Sequence, residues 1–65
     1  MLLLDAENKT PLYLQLYQQL RSQILHGTLS PDSRLPTTRA LAEEQGIGRN
    51  TVIRAYQQLE LEGYV

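Results

Sequence analysis

The first half of the chain carries apolar side chains at the spacing of one helical face. On a helical wheel, one side of the segment after Pro11 collects Tyr13, Leu16, Tyr17, Leu20 and Ile24. Thr10 is predicted to be the N-cap, with Pro11 at the first helical position, where its missing N–H costs nothing. His26-Gly27 provides the matching stop. This pattern predicts a first helix whose apolar face packs into a core.

Two leucines of this helix lie off its apolar face. Leu14 and Leu25 share a flank with Gln18 and Arg21. The sequence leaves two partners open for this flank: a second copy of the chain in a dimer, or residues 2–4, which are all leucine and fold back to cover it.

Turn residues and a proline separate the first helix from a second. Residues 29–35 have a turn composition, and Pro36 forces Leu35 to be extended, which indicates a short strand or an open loop. Thr37 or Thr38 then caps a second helix that runs to about Gln45.

A third helix is predicted from near Gly48 or Arg49 to about Glu62, with Gly63 ending it. Its inward stripe consists of Val52, Ala55, Tyr56 and Leu59. The opposite side carries Asn50, Arg54 and Gln57, with Ile53 at its edge. That side has no acidic residue before Glu60, so it is open to an anion.

The second and third helices have the spacing of a helix-turn-helix. Leu41 and Ala42 turn inward, and the small Ala42 allows the two helices to cross closely. Gly46 supplies the left-handed residue of the turn, Ile47 fills the corner and Val52 lies on the inner side of the third helix. The alternative is a plain helical hairpin from an unrelated bundle.

Charge and composition reduce the number of function classes that fit the sequence. The 65 residues suffice for one small domain, and six basic against seven acidic residues give a net charge of −1. The charges are uneven, because residues 33–59 hold four arginines against two glutamates. The sequence contains no cysteine, no cluster of metal ligands and no paired nucleophile and base, so we expect no enzymatic activity in this segment. It also contains no apolar run long enough to cross a membrane, so we expect a cytoplasmic protein.

Several segments together resemble the N-terminal winged helix-turn-helix of the GntR family of bacterial transcription regulators. They are Pro11-Leu12-Tyr13, Gly27-Thr28-Leu29-Ser30-Pro31, Leu35-Pro36-Thr37-Thr38-Arg39-Ala40-Leu41-Ala42, Gly46-Ile47-Gly48-Arg49-Asn50-Thr51-Val52, Ala55-Tyr56 and Glu62-Gly63-Tyr64-Val65. The sequences of these segments are most similar to the MocR branch of the family, whose regulators carry an aminotransferase-like domain that binds pyridoxal phosphate. The YtrA branch is also similar.

The resemblance implies a set of DNA-binding residues, and we expect them to divide between the two helices. Thr37, Thr38 and Arg39 are expected to fix the register on the DNA backbone, with a base contact also open to Arg39. The start of the recognition helix contributes Gly48, Arg49, Asn50 and Thr51. The outward face of the same helix adds Arg54, and we expect Arg49, Asn50, Thr51 and Arg54 to lie in the major groove. The family usually has serine where this chain has Gly48, which removes a side-chain cap. The alternative for Arg39 and Arg49 is that they are solvated or form ion pairs with Glu43 and Glu44.

The resemblance also implies a domain plan and partners. Residues 1–9 form an arm and residues 10–65 the GntR-like domain, while the family's wing and C-terminal effector domain are expected to lie outside this chain. The sequence thus predicts a mainly α, three-helix domain that lacks most of its wing. We expect the full-length protein to be a homodimer that binds a palindromic duplex DNA operator in a sequence-specific manner. We expect no cofactor in this segment and no membrane partner. The alternative is a winged-helix-like module for protein interaction or dimerisation.

Overall fold

The computed structural model describes residues 2–27 and 35–64, which form three helices. The helices are α1 (Leu12–Leu25), α2 (Thr38–Gln45) and α3 (Arg49–Leu61). Within the described ranges there is no strand, and therefore no wing. Most of the predicted turn over residues 29–35 lies outside the described residues, and Leu35 itself belongs to no helix or strand.

The core sits between α3 and the other two helices, since α3 packs against both α1 and α2. Its buried side chains are Leu16, Tyr17, Leu20, Leu41, Ala42, Val52, Ala55 and Leu59. Tyr56 and Ile47 are half-buried and pack against this cluster, as predicted for the inward stripe and the turn. The expectation that Tyr13 and Ile24 join the core is wrong, because both are half-buried and lie outside the cluster.

The helix ends follow the predicted glycines and threonine, with one exception. Gly46 has φ 65° in the left-handed region, and Gly27 and Gly63 have φ 77° and 79°. At the start of α1 the prediction is off by one residue: Pro11 is itself the N-cap, with ψ 148°, and Leu12 is the first helical residue. The carbonyl of Pro11 accepts the first helical hydrogen bonds, and Thr10 makes no cap bond with its side chain.

Residues 2–10 fold back along α1 and are held there by a buried amide. The side chain of Gln15 accepts a hydrogen bond from the Asp5 N–H at 2.9 Å and donates to the carbonyls of Asp5 and Thr10 at 2.8 and 2.6 Å. Leu2, Leu4 and Leu14 all pack against the core. The arm therefore folds back on the domain, as in one of the two alternatives, but it does not cover the whole flank, because Leu25 stays 63% exposed. The prediction that Leu14 lies off the core face is wrong, since Leu14 packs against the core.

Candidate nucleic-acid interface

Seven of the eight predicted site residues lie at the N-terminal ends of α2 and α3, and Arg54 lies in the middle of α3. The eight differ in exposure. Six of them are exposed, namely Thr37, Arg39, Gly48, Arg49, Asn50 and Arg54, and Thr38 and Thr51 are half-buried. The three-residue turn 46–48 joins the two helices, and the helices pack against each other. The two N-terminal ends thus belong to one helix-turn-helix unit, with their polar side chains reachable from solvent.

The hydroxyl group of Thr37 caps α2. Its Oγ1 accepts a hydrogen bond from the backbone N–H of Ala40 at 3.0 Å, which satisfies one of the otherwise unpaired donors of the first turn. The structure thus selects Thr37 over Thr38 as the N-cap. A hydroxyl that accepts one bond still carries its own O–H donor, so Thr37 retains a donor that an anion can accept.

α3 begins without a side-chain cap. Its N-cap is Gly48, with φ −67° and ψ 142°, a conformation open to any residue. A Cβ added at Gly48 would meet only Thr51 Oγ1, at an ordinary 3.8 Å. Serine would therefore fit here, and glycine leaves the first turn of α3 more accessible. A helix N-terminus with accessible N–H groups favours a negatively charged group.

Arg39 is paired within α2. Its Nε donates to Glu43 Oε1 at 3.3 Å, one helical turn further along, and the two side chains are 78% and 71% exposed. This is the ion pair that the sequence offered as an alternative for Arg39. An exposed pair of this kind contributes little to stability, so it costs little to open when Arg39 binds another anion.

Arg54 stacks on an aromatic ring. Its Cζ lies 4.0 Å from the centre of the Tyr13 ring in α1, well within the range of a cation–π contact. The stack joins the outer side of α3 to the N-terminal part of α1. The helical wheel did not reveal this contact, because it counts tyrosine as a core residue.

Two tyrosines connect the helices through hydrogen bonds that the sequence analysis missed. Tyr56 Oη donates to the carbonyl oxygen of Pro36 at 2.7 Å, and burial raises the pKa of this phenol. Tyr17 Oη donates to Glu62 Oε1 at 2.5 Å, while Gln58 donates to the other carboxylate oxygen.

The Tyr17–Glu62 contact changes the acidity of both groups. The hydrogen bond to Glu62 raises the pKa of Tyr17, and burial of the phenol adds to this effect. The hydrogen bonds from Tyr17 and Gln58 lower the pKa of the Glu62 carboxyl. The C-terminal end of α3 is thus fixed to the middle of α1 by a charge-assisted hydrogen bond.

Comparison with known proteins identifies the family. The family described as "Bacterial regulatory proteins, gntR family" matches residues 12–65, which include all three helices. The chain belongs to the gntR family. Its three helices are the helix-turn-helix domain of this class of transcription regulators.

Individual relatives are similar over all or most of the chain. The chain is 51% identical to the probable rhizopine catabolism regulatory protein MocR of Rhizobium meliloti, over 100% of the chain and 13% of that protein. It is 38% identical to the transcriptional repressor YtrA of Bacillus subtilis, over 100% of the chain and 50% of that protein. It is 42% identical to the transcriptional repressor NagR of Bacillus subtilis, over 92% of the chain and 25% of that protein. The chain therefore spans between an eighth and a half of the length of these gntR relatives.

Other kinds of site find little support in the described ranges. No group of three or more histidine, cysteine, aspartate or glutamate side chains there is placed to hold a metal ion. None of the described helices has the length and apolar character needed to cross a membrane. Pyridoxal phosphate is held as a Schiff base with lysine, and the single lysine of the sequence, Lys9, is exposed in the arm, so these residues do not fit that cofactor.

Proposed function

We propose that this domain binds duplex DNA in a sequence-specific manner, with α3 in the major groove and the N-terminal end of α2 on the backbone. The outer face of α3 carries the proposal. Arg49, Asn50 and Arg54 are exposed there, and no acidic side chain occurs in α3 before Glu60. Arginine and asparagine are the side chains that read guanine and adenine by paired hydrogen bonds in the major groove.

The two helices have different roles in this proposal. Arg49, Asn50, Thr51 and Arg54 contact base edges or nearby phosphates from α3. Gly48 allows a phosphate to approach the start of α3, and Thr37, Thr38 and Arg39 hold the backbone at the start of α2. Phosphate contacts set the position of the domain, whereas the contacts of α3 select the sequence.

The regulator acts as a homodimer on a palindromic operator in this proposal. Two domains related by a twofold axis place their recognition helices about 34 Å apart, in successive major grooves of one face of the duplex. The gntR membership supports transcription regulation in the bacterial cytoplasm, where the operator DNA is found. We assign no enzymatic activity to this domain.

The test compares Arg49→Ala with Arg39→Ala on a cognate duplex and on a scrambled one, at several salt concentrations. The cognate duplex is the one that the wild-type protein selects from a randomised library. Arg49→Ala is expected to cost about 1 to 3 kcal/mol on the cognate duplex and to relax its sequence preference. Arg39→Ala is expected to weaken both duplexes alike and to lower the salt slope by about one unit.

The matched control is Lys9→Gln, which removes one exposed positive charge from the arm, outside α2 and α3. It is expected to preserve the preference for the cognate duplex. Equal binding of wild type and Arg49→Ala to both duplexes would contradict base reading by α3. A protein-docking role of this domain would then replace DNA binding as the leading function.

A further inference from the structure

An arginine of the recognition helix rests on an aromatic ring of another helix. The Cζ of Arg54 lies 4.0 Å from the centre of the Tyr13 ring. A second arginine–tyrosine stack occurs in the described residues, and there the Cζ of Arg21 lies 5.6 Å from the centre of the Tyr17 ring. We propose that Tyr13 is a positioning residue for DNA binding, which holds the guanidinium of Arg54 at the outer face of α3. This inference rests on the function proposed above and adds a residue that does not itself lie on the recognition helix.

Packing in the core does not explain why the Tyr13 ring lies where it does. The neighbouring aromatic residue on the same face, Tyr17, is buried and belongs to the core cluster. Tyr13 is half-buried and lies outside that cluster, although the helical wheel puts it on the core face. Its ring is therefore available to a partner at the surface, and that partner is Arg54.

Stacking prepares a guanidinium for binding an anion. The five N–H donors of arginine lie in the plane of the group, so a ring that covers its face leaves these donors at the edge. The ring also restricts a long side chain that otherwise loses rotamer freedom when it binds. Arg39 differs, because its Nε donates to Glu43 and a phosphate that binds at Nε has to compete with that carboxylate.

The stack also determines on which side of α3 the positive charge of Arg54 lies. Arg54 lies four residues after Asn50, so the two side chains are neighbours on one face of α3. A guanidinium held toward α1 stays on one side of Asn50 and does not cover it. Tyr13 therefore sets where the positive charge lies relative to a side chain that reads bases.

The experiment is a double-mutant cycle of Tyr13→Leu and Arg54→Gln, read as Kd for the duplex that the wild-type protein selects from a randomised library. Tyr13→Leu is expected to weaken binding by about two- to fivefold, the range of an exposed cation–π contact. In the Arg54→Gln background it is expected to have no further effect. Tyr13→Phe keeps an aromatic face and is expected to bind like the wild type.

Two controls separate positioning from folding. In an Arg21→Gln background, Tyr13→Leu is expected to keep its full effect, because Arg21 stacks on a different tyrosine. The NMR signal of the Arg54 Nε–H, measured without DNA, is expected to move in Tyr13→Leu and to stay in place in Tyr13→Phe. A purely structural role of Tyr13 would lower the melting temperature and would weaken binding equally with and without Arg54.

The outcomes distinguish this inference from the proposed function. If the wild-type protein selects no duplex at all, the proposed function fails, and the role of Tyr13 fails with it. If the wild-type protein selects a duplex but the effects of Tyr13→Leu and Arg54→Gln simply add, only the positioning role is overturned. Weaker binding by Tyr13→Phe would also overturn it, since the aromatic face is retained in that variant.

Discussion

The phenolic oxygen of Tyr56 in α3 donates a hydrogen bond to the carbonyl oxygen of Pro36, 2.7 Å away, just before the start of α2. Pro36 immediately precedes Thr37, the residue that caps α2. The bond therefore connects the segment just before α2 to a side chain of α3. Because Tyr56 also packs against the core, the position of Thr37 depends on the packing of α3.

Removing the Tyr56 hydroxyl tests whether its hydrogen bond to Pro36 stabilises the domain. Tyr56→Phe keeps the ring and loses one hydrogen bond, so the free energy of unfolding is expected to fall by about 0.5 to 1.5 kcal/mol. For a domain of this size each kcal/mol lowers the melting temperature by about 4 to 8 °C. Thermal unfolding followed by circular dichroism measures this change. Tyr64→Phe is the control, since Tyr64 also packs against the core, and an equal loss in both variants would contradict a specific role for the Pro36 bond.

Much of the fold follows from local features of the sequence. The apolar spacing predicts three helices within a residue or so of their observed ends, and Gly46 and Thr37 mark the turn and the cap because each acts on backbone groups within a few residues. The core positions Leu16, Leu20 and Val52 are likewise correct. Tyr13 is the instructive error, since its ring is apolar enough to count as core and yet serves as the surface under Arg54.

The polar contacts between distant segments could not be predicted in the same way. Tyr17 and Glu62 are separated by 45 residues, and nothing in the spacing of either helix pairs them. Gln15 looks like a solvated side chain on a helical wheel, and it is 8% exposed because the arm folds over it. Six of the eight predicted site residues are exposed and two are half-buried, and the contacts to DNA that the resemblance implies stay a prediction.

The buried amide of Gln15 provides a test of the arm. Gln15→Ala is expected to lower the free energy of unfolding by about 1 to 3 kcal/mol, because the N–H and C=O groups of Asp5 lose their partner. The variant is also expected to be cleaved faster within residues 2–10 in limited proteolysis. Gln18→Ala changes an exposed glutamine of the same helix and serves as the control. Equal cleavage of both variants and the wild type would show that Gln15 does not hold the arm.

The Tyr17–Glu62 bond makes stability depend on pH. The pKa of Glu62 is lowered in the folded state, so its contribution is present above the ordinary glutamate pKa of about 4.3 and is lost as the pH falls through the folded value. The pKa of Tyr17 is raised, so its contribution is present below the ordinary tyrosine pKa of about 10 and is lost as the pH rises through the folded value.

Urea unfolding at a series of pH values measures this dependence. The free energy of unfolding of Glu62→Gln is expected to fall less steeply than that of the wild type as the pH drops below about 4.3. Tyr17→Phe is expected to flatten both the acid and the alkaline limb, because it removes the shared hydrogen bond. Glu60→Gln removes an exposed carboxylate of the same helix and is expected to follow the wild type. Parallel acid limbs for the wild type and Glu62→Gln would contradict this assignment.

The ion pair between Arg39 and Glu43 predicts a variant that binds DNA more tightly. In the proposed complex Arg39 exchanges the Glu43 carboxylate for a phosphate, and the carboxylate then lies close to the negatively charged backbone. Glu43→Gln removes both the competing partner, worth about 0.2 to 1 kcal/mol, and this repulsion. Its affinity is therefore expected to rise for cognate and scrambled duplexes alike, most strongly at low salt. Glu44→Gln is the matched control, because Glu44 is also an exposed glutamate of α2 but forms no ion pair within the described residues. An equal gain for Glu43→Gln and Glu44→Gln would show that net charge, rather than release of Arg39, controls the affinity, and an unchanged Kd in both would contradict the approach of a phosphate to α2.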